Sequence, residues 1–198
     1  MSKSKPETGS RRSQAERREL TQQRLLDAAR EMFVERGFAR TGLPELVLKA
    51  GLTRGALYHH YRNKEDLFRA VAQREAEAIS DSINAATDSI SDPTEAMTVG
   101  TDAYFDAMLA PGRVKILLSD APSVMGHTEA LKLTQSQGSL ALRQGLKRSV
   151  ASLSEAELQA LTDVVSAAFD RAALKISEGE DRKAYTQAIF RLIQKLIS

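Results

Sequence analysis

Between Thr53 and Lys64 the chain reads Thr-Arg-Gly-Ala-Leu-Tyr-His-His-Tyr-Arg-Asn-Lys. Cations, phenols and imidazoles are gathered there around a single aliphatic residue, Leu57. The chemistry these types support is recognition of a polyanion. Arg54 has two readings: bidentate bonds to guanine O6 and N7, worth about 1–3 kcal/mol of discrimination, or a charged bond to phosphate. Gly55 lets backbone approach a ligand closely, and Ala56 can meet a thymine methyl. His59 and His60 do not suggest a metal site. Helical neighbours point about 100° apart, no His follows one turn later, and no carboxylate completes a ligand set. No Ser-His-Asp order, catalytic carboxylate pair or phosphate-binding Gly loop stands out. The chain has no Cys. Catalytic residues, metal and cofactor are therefore all expected to be none, and the protein is not expected to be an enzyme.

The elements that would hold this segment are helices. Thr53 can cap a short helix. Gly51 ends the helix before it, which begins near Leu43 with Pro44 in its first turn. Asn63 caps the helix after it, with Glu65 and Asp66 suiting its dipole. A first helix carries Leu25, Leu26, Ala29 and Phe33 on one face and stops at Gly37. Its start is open between Ser13, with Glu16 as a capping box, and Thr21. A short basic and aromatic helix, held between anchored helices, is shaped for the major groove of DNA.

The charge agrees. Residues 1–75 carry 16 Lys and Arg against 10 Asp and Glu, a net of +6, while residues 76–198 carry 12 against 16, a net of −4. A basic head on an acidic body fits an anion-binding module joined to something else. Residues 1–13 are too polar to bury a core, and a flexible basic arm is drawn over residues 1–18. Arg11, Arg12, Arg17 and Arg18 either touch phosphates or stay solvated. The start has no apolar stretch typical of a secretory signal, and no run approaches the ~20 apolar residues of a membrane span. A cytoplasmic protein without a membrane partner is the expectation.

Residues 21–68 resemble the DNA-binding domain of TetR-family transcriptional regulators. The resemblance lies in Leu25-Leu26 with Ala28-Ala29, then Phe33, Gly37-Phe38, Thr41, Leu46, Ala50-Gly51, Gly55, Leu57-Tyr58, His60-Tyr61, Lys64-Glu65 and Leu67, in ungapped spacing. It implies an all-α fold. A three-helix helix-turn-helix domain over 19–68 would precede a helical effector-binding and dimerisation domain over 69–198. It also implies that Tyr58 and His59 bond phosphates, that Thr41 donates to phosphate from the start of the second helix, and that Lys64 reaches phosphate. By the same resemblance Gly42 and Thr53 are expected among the DNA-binding positions, although Gly42 stands where the family usually has a second Thr. Tyr61 replaces a usual Phe, and Val47 a customary Ala.

The body reads as helices throughout. The helix beginning at Asn63 runs on through Ile79 and Ile83. Asp92-Pro93-Thr94-Glu95 opens another that ends at Pro111-Gly112. A short apolar helix over 114–118, a loop over 122–127 and a helix through Leu131, Leu140, Leu142 and Leu146 follow, with Gly138 and Gly145 weakening the last. Ser154 opens a helix ending at Glu178-Gly179. Met97, Tyr104, Phe105, Met108, Leu117, Met125 and Phe169 either line an effector pocket or simply fill the core. On the last two helices Leu161, Val165, Ala168, Ala172, Ile189, Phe190, Ile193 and Ile197 form apolar stripes wider than an end helix needs. They are read as a homodimer interface completing a four-helix bundle. The expected function is a regulator, most simply a repressor, released from palindromic double-stranded DNA by an unknown small-molecule effector. The alternative is an all-α interaction module or helical enzyme without DNA binding.

Overall fold

Ser13 and Glu16 decide where the first helix begins. The Ser13 hydroxyl accepts from the Glu16 N–H at 3.1 Å, and the Glu16 carboxylate accepts from the Ser13 N–H at 2.7 Å. This reciprocal box satisfies two otherwise orphaned donors. The computed structural model describes residues 13–149 and 153–197. Within them every regular element is helical, and α1 spans Gln14–Arg40. Residues 14–18 are thus part of a helix, which shortens the arm drawn to residue 18. Arg11 and Arg12 lie outside the described residues.

At Gly37 the backbone of α1 turns out of helical geometry, with φ 76°. Then follow α2 (Leu43–Lys49), α3 (Arg54–His60) and α4 (Lys64–Thr87). The α2–α3 turn passes through Gly51 at φ 62°, a region costly for residues with a Cβ. Leu25, Phe33, Leu46, Leu57, Leu67 and Phe68 have no exposed surface and form the head's core. The rings of Phe33 and Phe68 meet nearly edge-on at 5.2 Å.

The fourth helix is the spine. Its buried residues Leu67, Phe68, Val71, Ala72, Ala76, Ile79 and Ile83 repeat at helical spacing. One apolar stripe therefore serves both the head and the body. It packs on α1 below and on α5 (Pro93–Met108) and α7 (His127–Ser149) above. Asp92 caps α5 through the Glu95 N–H at 2.8 Å.

After α5, residues Lys115–Asp120 form a π-helical turn that runs into α6, Ala121–Met125. The expected loop over 122–127 is therefore largely helix. Pro122 occupies the first turn, where a missing N–H loses no bond, and the chain turns only at Gly126. The glycines of α7 do not interrupt it. A Cβ at Gly145 would stand 2.5 Å from the Met97 sulfur, so this glycine permits a close approach of α7 to α5. The body ends with α8 (Glu155–Ser177) and α9 (Arg182–Ile197).

The expected dimer stripes divide. Val165, Ala172, Ile189 and Ile193 are at most 5% exposed within the single subunit. They face its own core because α9 packs on α5 and α8, so they are not free for a partner. Leu161, Ala168 and Phe190 are half-buried. The outward face instead shows Val164, 67% exposed, and Leu192, 41% exposed. The side chains of Ile197 and Leu140 lie outside the described set.

Candidate functional site

The head presents one polar face. Thr53 caps α3, its hydroxyl accepting from the Ala56 N–H at 3.2 Å. Leu57, on the opposite side, is fully buried and pins α3 to the head's core. Rotation about the helix then turns Thr53, Arg54, Gly55, Tyr58 and His59 to the outside, with Ala56 half-buried at the edge. Arg54 and Tyr58 are four residues apart and share a face. The Arg54 guanidinium has no partner among the described residues. His60 is half-buried beside Tyr61. Burial first, then the nearby charges of His59 and Arg18, lower its pKa, so its ring favours the neutral form.

Two expected phosphate donors are spent inside the head. Thr41 is 2% exposed, and its hydroxyl bonds the Gly37 carbonyl at 2.9 Å. The Lys64 ammonium reaches back to the carbonyls of Phe38 (2.9 Å), Thr41 (3.1 Å) and Ala39 (3.4 Å) and lies 4.3 Å from the centre of the Phe38 ring. The break at Gly37 leaves those carbonyls without helical donors, and a cation at a helix C-terminus is favourable there. Both residues position α2 and α4; neither side chain is free for phosphate. Gly42 caps α2 with no side-chain bond.

The head is locked to the body by a buried ion cluster that sequence reasoning missed. Glu75 of α4 is 4% exposed. It accepts from Arg30 of α1 at 2.8 and 3.2 Å and from Arg113, beyond α5, at 2.9 Å. Arg30 also bonds the Pro111 carbonyl at 2.9 Å. Burial alone would raise the Glu75 pKa, but the two guanidiniums more than offset it and hold the carboxyl below its usual range. Nearby, Lys115 bonds the Phe33 and Val34 carbonyls of α1 at 2.8 and 3.0 Å.

Above this joint the body encloses a cavity of about 460 Å³ between α4, α5, α7 and α8. Met97, Tyr104, Met108 and Phe169 line it. Phe105 and Leu117 do not: both are buried in the core, at 0% and 2% exposure. Met125, on α6, is also outside the lining. The residue that was not anticipated is Asp170. Its Oδ1 accepts from the Tyr104 hydroxyl at 2.8 Å, and the rings of Tyr104 and Phe169 meet edge-on at 5.0 Å. Burial pushes the Asp170 pKa up to about 6, against the lowering effect of the Tyr104 bond. Burial and the neighbouring carboxylate raise the Tyr104 phenol well above its usual value. The available sequence signal was weak: an acidic residue on the flank of the apolar stripe Val165, Phe169, Ala173.

Comparison with known proteins covers both parts. Residues 25–71 match the bacterial regulatory proteins of the tetR family, and residues 94–198 match the Tetracyclin repressor-like C-terminal domain. The chain is 31% identical to a TetR-family transcriptional regulator from Pectobacterium atrosepticum of known crystal structure, with TM-score 0.67, covering 94% of this chain and 96% of that one. It is 31% identical over 102 residues to the transcriptional activator FasR of Mycolicibacterium smegmatis, spanning 52% of this chain and 47% of that protein. Over 64 residues it is 42% identical to the transcriptional repressor BepR of Brucella suis, spanning 32% and 30% of the two. The match thus spans about half or less of these two curated relatives. The chain belongs to the TetR family of bacterial transcriptional regulators.

Proposed function

We propose that the protein works as a homodimer that reads a palindromic operator with α3 of each subunit and releases it when a small molecule enters the cavity. The observation that carries this is the α3 face. It combines an exposed Arg54, unpaired among the described residues, with exposed Tyr58 and His59 on a helix held by Thr53, Leu57 and the Lys64 clamp. Arg54, Gly55 and Ala56, nearest the N-terminal end of α3, read bases, while Thr53, Tyr58 and His59 bond the backbone. Thr41 and Lys64 hold this geometry from within. Symmetric reading requires a two-fold partner. The outer apolar face of α8 and α9, led by Val164 and Leu192, is the surface we assign to it.

The effector acts through α4, which lines the cavity at one end and starts in the head at the other. It shifts DNA affinity only to the extent that it binds one subunit arrangement better than the other. Occlusion of a promoter is the simplest output, because it needs no surface for a further protein, so repression is the proposed sign. A protein acting on DNA in this way works in the bacterial cytoplasm.

The test begins with selection from random duplexes, since the operator is not fixed by these residues. Recovery of an inverted repeat with half-site centres about one helical turn apart is expected. On the recovered site Arg54→Ala should lose about tenfold to hundredfold in affinity with an unchanged melting temperature. Absence of any enriched repeat, or equal binding by the variant, overturns the reading.

A further inference from the structure

We propose that the cavity's ligand is a monocationic amphiphile, an apolar body carrying one ammonium nitrogen that sits against Asp170 on the wall that Tyr104 and Phe169 also line. The proposal rests on the reading of the cavity as the effector site and names its ligand class.

The argument begins with compensation. A buried carboxylate normally stands opposite a cation, since desolvation penalises its charged form. Glu75 in this same chain has two such cations. Asp170 has none. Its hydrogen bond among the described residues comes from a neutral phenol. That bond leaves the second carboxylate oxygen available to the cavity that Asp170 lines. At neutral pH the group is mostly ionised, so the cavity wall carries a negative charge that the protein does not neutralise.

The surroundings favour a cation in particular. The charged residues of the lining are Asp88, Asp163, Asp170 and Arg171, three acidic to one basic. Arg171 is exposed to solvent, where water screens it. Tyr104 and Phe169 line the cavity beside Asp170, and an aromatic wall suits an organic cation because ring quadrupoles attract it, an interaction that strengthens when the site is dry. Beyond them the walls are Met97, Met108 and Ile83, adaptable apolar surface for a hydrocarbon or aryl body. A neutral ligand would leave the carboxylate uncompensated, and an anion would face like charge.

Three probes that share one apolar body test this: 4-butylbenzyltrimethylammonium, 4-butylbenzyl alcohol and 4-butylphenylacetate. Each is titrated by calorimetry into the full-length protein and into Asp170→Asn, in which the amide oxygen still accepts the Tyr104 hydroxyl. The expected result for the unmodified protein is saturable binding of the cation at least tenfold tighter than the alcohol, with no binding of the carboxylate. In the Asn variant the cation should lose tenfold or more while the alcohol is unchanged. A melting temperature of the variant at or above the parent's shows that loss of folding is not the cause. Equal binding of cation and alcohol, an unchanged cation affinity in the variant, or no binding of any probe at millimolar concentration overturns the proposal. A separate arm adds the cation to the protein–operator complex. Asp170-dependent binding without release of DNA would uphold the ligand class and overturn the effector reading.

Discussion

Two carboxylates inside the body of this protein, Glu75 buried and Asp170 half-buried on the cavity wall, live under opposite regimes. Glu75, at the joint with the head, is gripped by Arg30 and Arg113 and has its pKa lowered. Asp170, on the cavity wall, is met among the described residues only by a phenol and has its pKa raised. Their helices both carry regular apolar stripes, so local structure does not separate them. Partners do. A compensated buried charge fixes the geometry of its neighbours, because every change of position breaks strong bonds. An uncompensated one costs stability until something from outside supplies the missing charge. The joint is therefore built to transmit and the cavity is built to wait.

The largest effect expected from this contrast is at Glu75. Glu75→Gln keeps the shape but leaves two guanidiniums unpaired, Arg113 with only 13% of its side chain exposed. Removing one partner of a buried ion cluster costs about 3–5 kcal/mol. Urea unfolding should show it as a lower midpoint, and adding Arg113→Met should recover part of the loss. A lowered folded pKa means that the native state binds this proton less readily than the unfolded chain does. The stabilisation is thus present above the ordinary carboxylate pKa of about 4.3 and lost as pH falls through the folded value. A change below about 1 kcal/mol in the Gln variant would erase the distinction between the two sites.

Asp170→Asn should move stability the other way. The folded pKa of about 6 lies above the ordinary carboxylate value of 3.8, so the protonated form is the one the native state prefers. Stability therefore falls as pH rises from about 4 through 6, by roughly 2–3 kcal/mol at full extent. The Asn variant, neutral at every pH, should be more stable than the parent by about 2 kcal/mol at pH 7.5 and equal to it near pH 4. Thermal melts across that range would show the two curves converging on the acid side. Parallel curves would mean that Asp170 is not the titrating group.

How much of this was readable in the sequence follows the same division. Caps, turns and periodicity are local, and they placed α2 through Pro44 and α3, α4, α5 and α8 through Thr53, Asn63, Asp92 and Ser154. Glu75 falls within the apolar stripe of α4, but Arg30 and Arg113 are 45 and 38 residues away in sequence. Nothing local could pair them. Thr41 and Lys64 were assigned by resemblance to the DNA side, and only the carbonyls freed at Gly37 show why both turn inward. The loop expected over 122–127 is largely helix because Pro122 sits in the first turn of α6, where its missing N–H loses no bond. In α9, periodicity found two stripes but could not say which faced the chain's own core.

A third prediction asks whether every unpaired buried polar group in the protein marks a ligand site. The Tyr61 hydroxyl, at the start of the α3–α4 turn, is buried with no hydrogen bond of good geometry among the described residues, Gln22 being the side chain placed to act on it. It lies outside the cavity of the body. Tyr61→Phe removes that desolvated group at almost constant volume and should gain about 1 kcal/mol. Operator affinity should stay the same. A loss of stability would reveal a bond the phenol makes in solution and remove the exception.

The smallest expected effect concerns a polar group that is missing. Gly42 caps α2 in an extended conformation, φ −93°, ψ 135°, which any residue can adopt. A Cβ there would meet nothing closer than the Pro44 Cδ at 3.8 Å. Gly42→Ser therefore adds a capping hydroxyl without strain and lowers the entropy of the unfolded chain, for a gain of about 0.5 kcal/mol. It also separates the two neighbouring positions at this helix start. Thr41 is sealed inside and spends its hydroxyl on Gly37, whereas position 42 is partly exposed. If α2 approaches the backbone of DNA, a hydroxyl at 42 is the one able to reach a phosphate. Being neutral, it would raise operator affinity without steepening the salt dependence, because no further counter-ion is displaced. Thr41→Val, by contrast, should lower the melting temperature and leave that slope untouched. A steeper slope for Gly42→Ser would mean that the substitution had rearranged the charged face of α3, and that the head is less rigidly held than Lys64 and Thr41 make it.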